Sequence, residues 1–399
     1  MQKNVKTWLG SHNGSAVLLG VCPMTSEIVE ATLREARQAT NFTPMFIATP
    51  RQVDADRGYT GWSQSELVSF IEELSSAVDY DGETILARDH GGPYQSMRDR
   101  GDPSVDLSEA MDYATDVFFD DLDAGFDVLH VDATEDARAD GILDLETVAE
   151  RTATLIDEIE ERRVSNDQEP VYYEVGTEEI SGGMTEPDDF ERYIHLLKEA
   201  LAEQRPGVFE RIIFVVGQVG TTMRIDMTND FDPDQTERLC AIADENDLFV
   251  KVHYTDWLPN ETLERFAEFG IGAANVGPEF AAAQIEALAE LEATVKDADA
   301  VEPSAFMSTL EDAAVADAPW QKFAPDSLAS ANHDAYAEEN RRNIALCVGR
   351  YVLTEPEVEA AQNQLYENVR RHTDIDPDEF VVSRISETIH RYVEAFSLA

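Results

Sequence analysis

Short apolar runs recur along the chain, each followed by a longer segment whose apolar residues return every three or four positions. The runs SAVLLGV (15–21), MFIAT (45–49), TILAR (84–88), DVLHVD (127–132), VYYEVG (171–176), RIIFVVG (211–217), LFVKVH (248–253) and GAANVG (272–277) read as strands. Between them, segments such as TSEIVEATLREARQA, LETVAERTATLIDEIEERR and DDFERYIHLLKEALAEQ read as amphipathic helices. From the second strand to the sixth, strand ends fall about 40 residues apart, room for one strand, one helix and two loops. Eight such units predict a (β/α)8 TIM barrel over residues 1–300. The competing doubly wound sheet calls for a GxGxxG turn after the first strand, where GVCPMTS stands instead. From about residue 300 strand-like runs cease, apart from EFVVSRI. Segments around 304–317, 335–350, 355–371 and 376–397 read as helical, which makes residues 301–399 an α-helical extension packed on the barrel.

Composition narrows the class. The 399 residues are 43% hydrophobic, sufficient for a real core. Acidic residues number 81 against 30 basic ones, of which only six are lysine, giving a net charge of −51. The acids are spread through the helical segments rather than gathered in a tail, a pattern that predicts a halophilic protein whose self-repulsion is screened by molar salt. Such a surface disfavours nucleic acid and anionic membrane as partners. Cys22, Cys240 and Cys347 are far apart and odd in number, which excludes a disulfide framework or CxxC knot and fits a reducing, cytoplasmic setting. No apolar run approaches the ~18 residues of a membrane span, and the first residues lack the layout of a secretion signal.

In a barrel of this kind chemistry belongs at the carboxyl ends of the strands. The third candidate strand ends in Asp89-His90, and the fourth carries His130 and then Asp132, two positions on and therefore on the same face. The fifth offers Glu174 and then Glu178, followed by Gly182-Gly183. The sixth ends in Gly217-Gln218-Val219-Gly220, the seventh in His253, and the eighth in Asn275-Val276-Gly277. Taken singly, each has a bland reading. Asp89 and Asp132 suit helix caps or turns, Glu178 suits solvent, and the glycines suit tight turns. Taken together, histidines and carboxylates converging on one mouth form an ordinary ligand set for a catalytic divalent ion, with a metal-free polar mouth as the alternative.

The blocks GYTGWS (58–63), ILARDHGGP (85–93), HVDATED (130–136), LETVAERTATLI (145–156), YEVGTEE (173–179), VKVHYTDW (250–257) and ANVGPEF (274–280), in this order, resemble the accessory subunit of class II D-tagatose-1,6-bisphosphate aldolase, a family also labelled tagatose-6-phosphate kinase. The resemblance runs over nearly the whole chain. It implies a distant kinship with the zinc-dependent class II aldolases, in which an Asp-His pair after the third strand supplies the catalytic acid/base and a zinc ligand, here Asp89 and His90. His253 matches a second ligand, whereas the position of a further ligating histidine is Gln218. Glu174 or Glu178 is then the carboxylate that would compensate. Asp132 matches an acid near the substrate, and Gly182, Gly183, Gly217, Gln218, Gly220, Asn275 and Gly277 fall where such barrels bind substrate and its phosphates.

The expectation is a carbohydrate-metabolism protein that binds a ketose (bis)phosphate. Retro-aldol cleavage would use His90, Glu174 and His253 for a divalent ion, zinc by the resemblance, with Asp89, Asp132 and Glu178 as catalytic groups. Two alternatives stand beside it: a purely accessory subunit stabilising a separate class II aldolase, which the missing histidine at Gln218 favours, and a metal-dependent sugar epimerase or isomerase. A kinase would need a phosphate cradle such as GxxxxGK[ST], which the sequence lacks.

Overall fold

The computed structural model describes residues 5–139, 141–177, 184–296, 303–325 and 327–399. Eight parallel strands close into a barrel in sequence order: β1 (Leu18–Val21), β2 (Met45–Ala48), β3 (Ile85–Gly91), β4 (Val128–Val131), β5 (Tyr172–Gly176), β6 (Ile212–Val216), β7 (Phe249–Val252) and β8 (Ile271–Val276). Closure is made by β1 against β8, with Leu18 opposite Ala273 and Val21 opposite Val276. Each predicted strand is present, within a few residues of its expected ends.

The period of two along each strand sorts residues between the interior and the ring of helices. Leu18, Met45, Ile47, Ile85, Ala87, Val128, Ile213, Phe214 and Ala273 pack together inside the barrel. Leu19, Val21, Leu86, Leu129, Val131, Val175, Val250, Val252 and Ala274 face outward into the larger core under the helices. Read toward the carboxyl end, the inward positions turn from apolar to polar: Ala87 to Asp89, Val128 to His130, Tyr172 to Glu174, Phe249 to Lys251, Ala273 to Asn275. The barrel therefore has a dry floor and a charged mouth.

The opposite end is plugged by α1 (Val5–His12), whose Val5 and Leu9 join the interior cluster. The outer ring comprises α2 (Ser26–Gln38), α3 (Gln64–Ala77), α4 (Leu107–Ala124), α5 (Leu145–Ser165), α6 (Pro187–Gln204), α7 (Pro233–Glu245), the short α8 (Asn260–Leu263) and α9 (Phe266–Phe269), and α10 (Pro278–Val295). Starts are marked in the sequence: Ser63 and Glu66 form a reciprocal capping box before α3, while Asp106 and Asp144 cap α4 and α5.

Beyond residue 303 lie α11 (Phe306–Asp317), α12 (His333–Val348), α13 (Pro356–His372) and α14 (Pro377–Ala395). EFVVSRI, the one strand-like run here, is helical within α14, because its apolar positions Val381, Val382, Ile385 and Ile389 recur at helical spacing and are all buried. That helix packs on α2 and α10, and these residues share the core beneath the outer ring rather than forming one of their own. No helix among the described residues is long and apolar enough to cross a membrane.

Candidate active site

Strand β3 explains how two neighbouring residues reach one cavity. Ile85, Ala87 and Asp89 alternate inward, while Arg88 points outward and is fully buried against α4, its Nε 2.8 Å from Asp121 Oδ2 and its Nη1 2.9 Å from the carbonyls of Ala48 and Val53. Strict alternation would send His90 outward as well. It does not, because His90 adopts φ +50° and the pairing with β4 shifts between Arg88 and Gly91. A left-handed conformation at a histidine costs on the order of 1–3 kcal/mol, and it brings the His90 ring within 4.9 Å of His253 and 5.1 Å of His130, centroid to centroid.

The glycines that follow serve the backbone. A Cβ on Gly92 would stand 1.7 Å from the carbonyl oxygen of Asp132, and one on Gly91 would stand 2.5 Å from the Phe118 ring. They allow β3 and β4 to approach at their ends.

At the floor of the mouth four side chains converge. His253 Nε2 lies 3.1 Å from Glu174 Oε1 and 3.5 Å from Asp89 Oδ1, and His130 Nδ1 lies 3.6 Å from each of the same two oxygens. Tetrahedral ligands at ~2.1 Å from an ion are about 3.4 Å apart, so these four atoms have the spacing of a divalent-metal shell. The donor set, two imidazoles and two carboxylates, fits such an ion chemically. The backbone N–H of His90 donates to His130 Nδ1 at 3.1 Å, so that nitrogen is unprotonated, and an ion bound there would take its single lone pair from this hydrogen bond. Asn275 Oδ1, buried and without a hydrogen-bond partner, faces the same cavity.

Electrostatics hold the acids ionised. Burial alone would raise Glu174, but Lys251 Nζ at 2.5 Å, with His130 and His253, outweighs it and brings the carboxyl down to about 2. Burial likewise opposes ionisation of Asp89, and His253, His90 and Lys251 overcome it, holding this acid well below its ordinary range. Lys251 is fully buried, so its charge is spent on these two carboxylates.

The residues singled out from sequence divide into four sets. Asp89, His90 and His253 line one cavity of about 120 Å³ together with Asn275, and Glu174 stands just beneath them. Asp132 belongs behind this group: it accepts from His90 Nδ1 (2.8 Å), Gln95 Nε2 (3.2 Å) and Thr134 Oγ1 (2.5 Å), which occupies both of its oxygens. Two of the amides expected near phosphate already have acceptors within the protein. The Gln218 N–H is taken by Thr185 Oγ1 and the Gly277 N–H by Asp256 Oδ1. Gly220, at φ +91°, borders a different cavity beside Met184 and Asp232. Glu178, Gly182 and Gly183 lie outside the described residues.

Sequence reasoning left His130 out of its ligand set and passed over Lys251, the cation beside it. His130 stands two residues before Asp132 and Lys251 two before His253, so the alternation that turned their neighbours inward was the available signal.

A family model described as D-tagatose-1,6-bisphosphate aldolase subunit GatZ/KbaZ-like matches residues 8–385. The D-tagatose 6-phosphate 4-epimerase of Agrobacterium fabrum is 28% identical over 291 residues, 69% of this chain and 67% of that protein. A probable tagatose 6 phosphate kinase from Sinorhizobium meliloti 1021 superposes with a TM-score of 0.77 at 21% identity, covering 95% of this chain and 100% of that one. The fructose-bisphosphate aldolase of Campylobacter jejuni superposes with a TM-score of 0.56 at 10% identity over 99% of this chain and 92% of that one, a likeness of fold.

Proposed function

The chain belongs to the GatZ/KbaZ-like family of D-tagatose-1,6-bisphosphate aldolase subunits, a family of carbohydrate metabolism, and from that premise we propose that it opens the C3–C4 bond of a ketose phosphate by metal-dependent retro-aldol chemistry. The observation that carries this reading is the four-atom cluster of Asp89, His130, Glu174 and His253, spaced for one divalent ion at the end of a barrel. A divalent ion bound there would supply an electrophile that draws negative charge away from C3 through the substrate carbonyl.

The protein groups supply the rest. Asp89, on the cavity side of the cluster, would use the carboxylate oxygen not turned to the ion to accept the proton of the C4 hydroxyl; the electron pair of the breaking C3–C4 bond passes to C3, which takes up a proton before that fragment leaves. Asn275 Nδ2, 3.3 Å from Asp89 Oδ1, holds that carboxylate in place, and Asp132 fixes the ring of His90 alongside. Lys251 occupies the far oxygen of Glu174, so that Oε1 is presented to the two histidines.

A second reading shares the first step. If the aldehyde fragment turns over before release, C3 attacks its opposite face, the proton returns from Asp89, and the net reaction is epimerisation at C4 without oxidation or reduction. The name of the Agrobacterium relative favours this fate. Zinc-loaded protein incubated with ketose mono- and bisphosphates and followed by NMR separates the outcomes: triose release means cleavage, and a C4 epimer without triose means epimerisation. No turnover of any substrate by protein carrying one ion per chain would overturn both and leave the accessory-subunit role. His130→Ala and Glu174→Gln are expected to lose the ion, measured by elemental analysis independently of activity.

A further inference from the structure

The cavity containing Asp89, His90 and His253 meets a second chamber of about 550 Å³, and the two share Arg51, Arg100, Tyr254, Arg350 and Tyr351. Lys322 stands at the outer chamber, exposed. Arg51 and Arg100 come from loops after β2 and β3, whereas Lys322 and Arg350 come from short 3-10 turns of the helical extension, Trp320–Phe323 and Gly349–Tyr351. We propose that these four cations form a binding site for a phosphate monoester, half of it contributed by the extension, which places the phosphoryl end of the substrate at the waist between the chambers and its carbonyl end at the metal cluster. This deepens the ketose-phosphate reading and rests on it for the identity of the substrate.

The argument is one of unpaid charge in a strongly acidic molecule. Many arginines elsewhere are matched, such as Arg57 with Glu66, Arg98 with Asp56 and Asp116, and Arg151 with Asp136, and the unmatched Arg37, Arg238 and Arg342 are exposed or half-buried on helices. Among the described residues, none of Arg51, Arg100, Lys322 and Arg350 has a carboxylate within 4.0 Å. Arg350 is buried, and its polar contacts are the Cys347 carbonyl, Met223 Sδ at 3.7 Å and Tyr351 Oη at 3.1 Å. The Tyr351 ring gathers two of the group, with Arg350 Cζ 4.4 Å and Arg51 Cζ 4.8 Å from its centre. Arg100 makes one long contact, 3.5 Å to the Gln95 carbonyl.

The surrounding titrations report the same positive field. Burial, with Arg51 beside it, lowers Arg100; burial, with Arg100 and Arg51, lowers Lys322, and Glu135 is the carboxylate that opposes both. The Tyr351 phenol is buried, which raises it, yet Arg350, Arg51 and Arg100 bring it below its ordinary value. Cations held together in this way raise the free energy of the empty pocket, and a dianion that accepts from several guanidinium N–H groups relieves it.

The extension is anchored where this requires. Thr354 Oγ1 donates to the Tyr59 carbonyl (2.7 Å) in the loop after β2, and Ile225 N donates to the Phe323 carbonyl (3.0 Å), joining the loop after β6 to the turn that carries Lys322.

Calorimetric titration of the full chain with inorganic phosphate at one fixed KCl concentration, in metal-loaded and metal-free forms, tests the assignment. One phosphate per chain is expected in both forms. Lys322→Gln and Arg100→Gln should each weaken binding roughly tenfold without changing metal content or melting temperature, while Lys198→Gln, on the exposed face of α6, should leave it unchanged. Lys322 is exposed, so its variant folds whatever becomes of the arginine variants. Phosphate affinity that is absent in the parent, or equal in the parent and both pocket variants, overturns the proposal. Failure to turn over any ketose phosphate while the variants lose phosphate removes the catalytic reading and leaves this site standing; turnover with variant-independent phosphate binding does the reverse.

Discussion

At the scale of single residues, the candidate site depends on Lys251 as much as on its acids. A buried carboxylate deprived of its partner is costly, so Lys251→Met should destabilise the protein by about 3–5 kcal/mol. If the cluster takes up a divalent ion, the loss should be smaller with the ion present, because a second cation then faces Glu174; melting curves with and without zinc measure the difference. Lys251 was legible only indirectly. VKVH alternates, and once His253 is turned inward Lys251 must follow, but a lysine in a barrel interior contradicts every compositional expectation until its carboxylates are placed. Asp89 and Glu174 could be read as inward from alternation. The position of His90 could not, because a positive φ at a histidine has no signature in the sequence. Asp132 was seen as an acid near the mouth, yet its place behind His90 depends on bonds from Gln95 and Thr134 that no spacing reveals.

At the scale of elements, β3 and β4 are held closer than side chains would permit. Gly92→Ala places a methyl group 1.7 Å from the Asp132 carbonyl, and backbone rather than a flexible side chain would have to yield. A loss of several kcal/mol or insoluble expression is expected, whereas an unchanged denaturant midpoint would show that the strand ends are free to part. The strands themselves were legible because an eightfold alternation of apolar run and amphipathic segment admits few folds. α1 was not, since eight residues with a polar face carry little periodicity on their own.

A second tie joins α5 to the sheet. Glu160 accepts from Tyr173 Oη at 2.6 Å, from Arg163 Nη2 at 2.9 Å and from Arg211 Nη1 at 2.9 Å. Burial would raise its carboxyl, but Arg211, Arg163 and Tyr173 prevail and hold it at about 2. Because the folded value lies below the unfolded one, this group adds stability above about pH 4.5 and loses it as the pH falls toward 2, on the order of 2–3 kcal/mol in all. The stability gap between the parent and Glu160→Gln should therefore close across that window in acid unfolding; a gap independent of pH would exclude the mechanism.

At the scale of the whole molecule, a charge of −51 on 399 residues resists compaction wherever counterions are sparse. We expect the melting temperature to climb steeply between low salt and molar KCl; a flat profile would refute the halophilic reading. The region after residue 303 could be read as helical and as packed on the barrel, but neither the cations it lends to the mouth nor the elements it packs against were visible, because both are tertiary. That packing reaches back to the first strand: Val17 N donates to the Phe396 carbonyl at 3.2 Å and Asn41 N to the Leu398 carbonyl at 3.1 Å. The lead-in to β1 thus waits, during synthesis, for partners translated hundreds of residues later. Contacts of such long sequence separation raise the contact order, so the first strands complete their native pairing only after the last helix has been made.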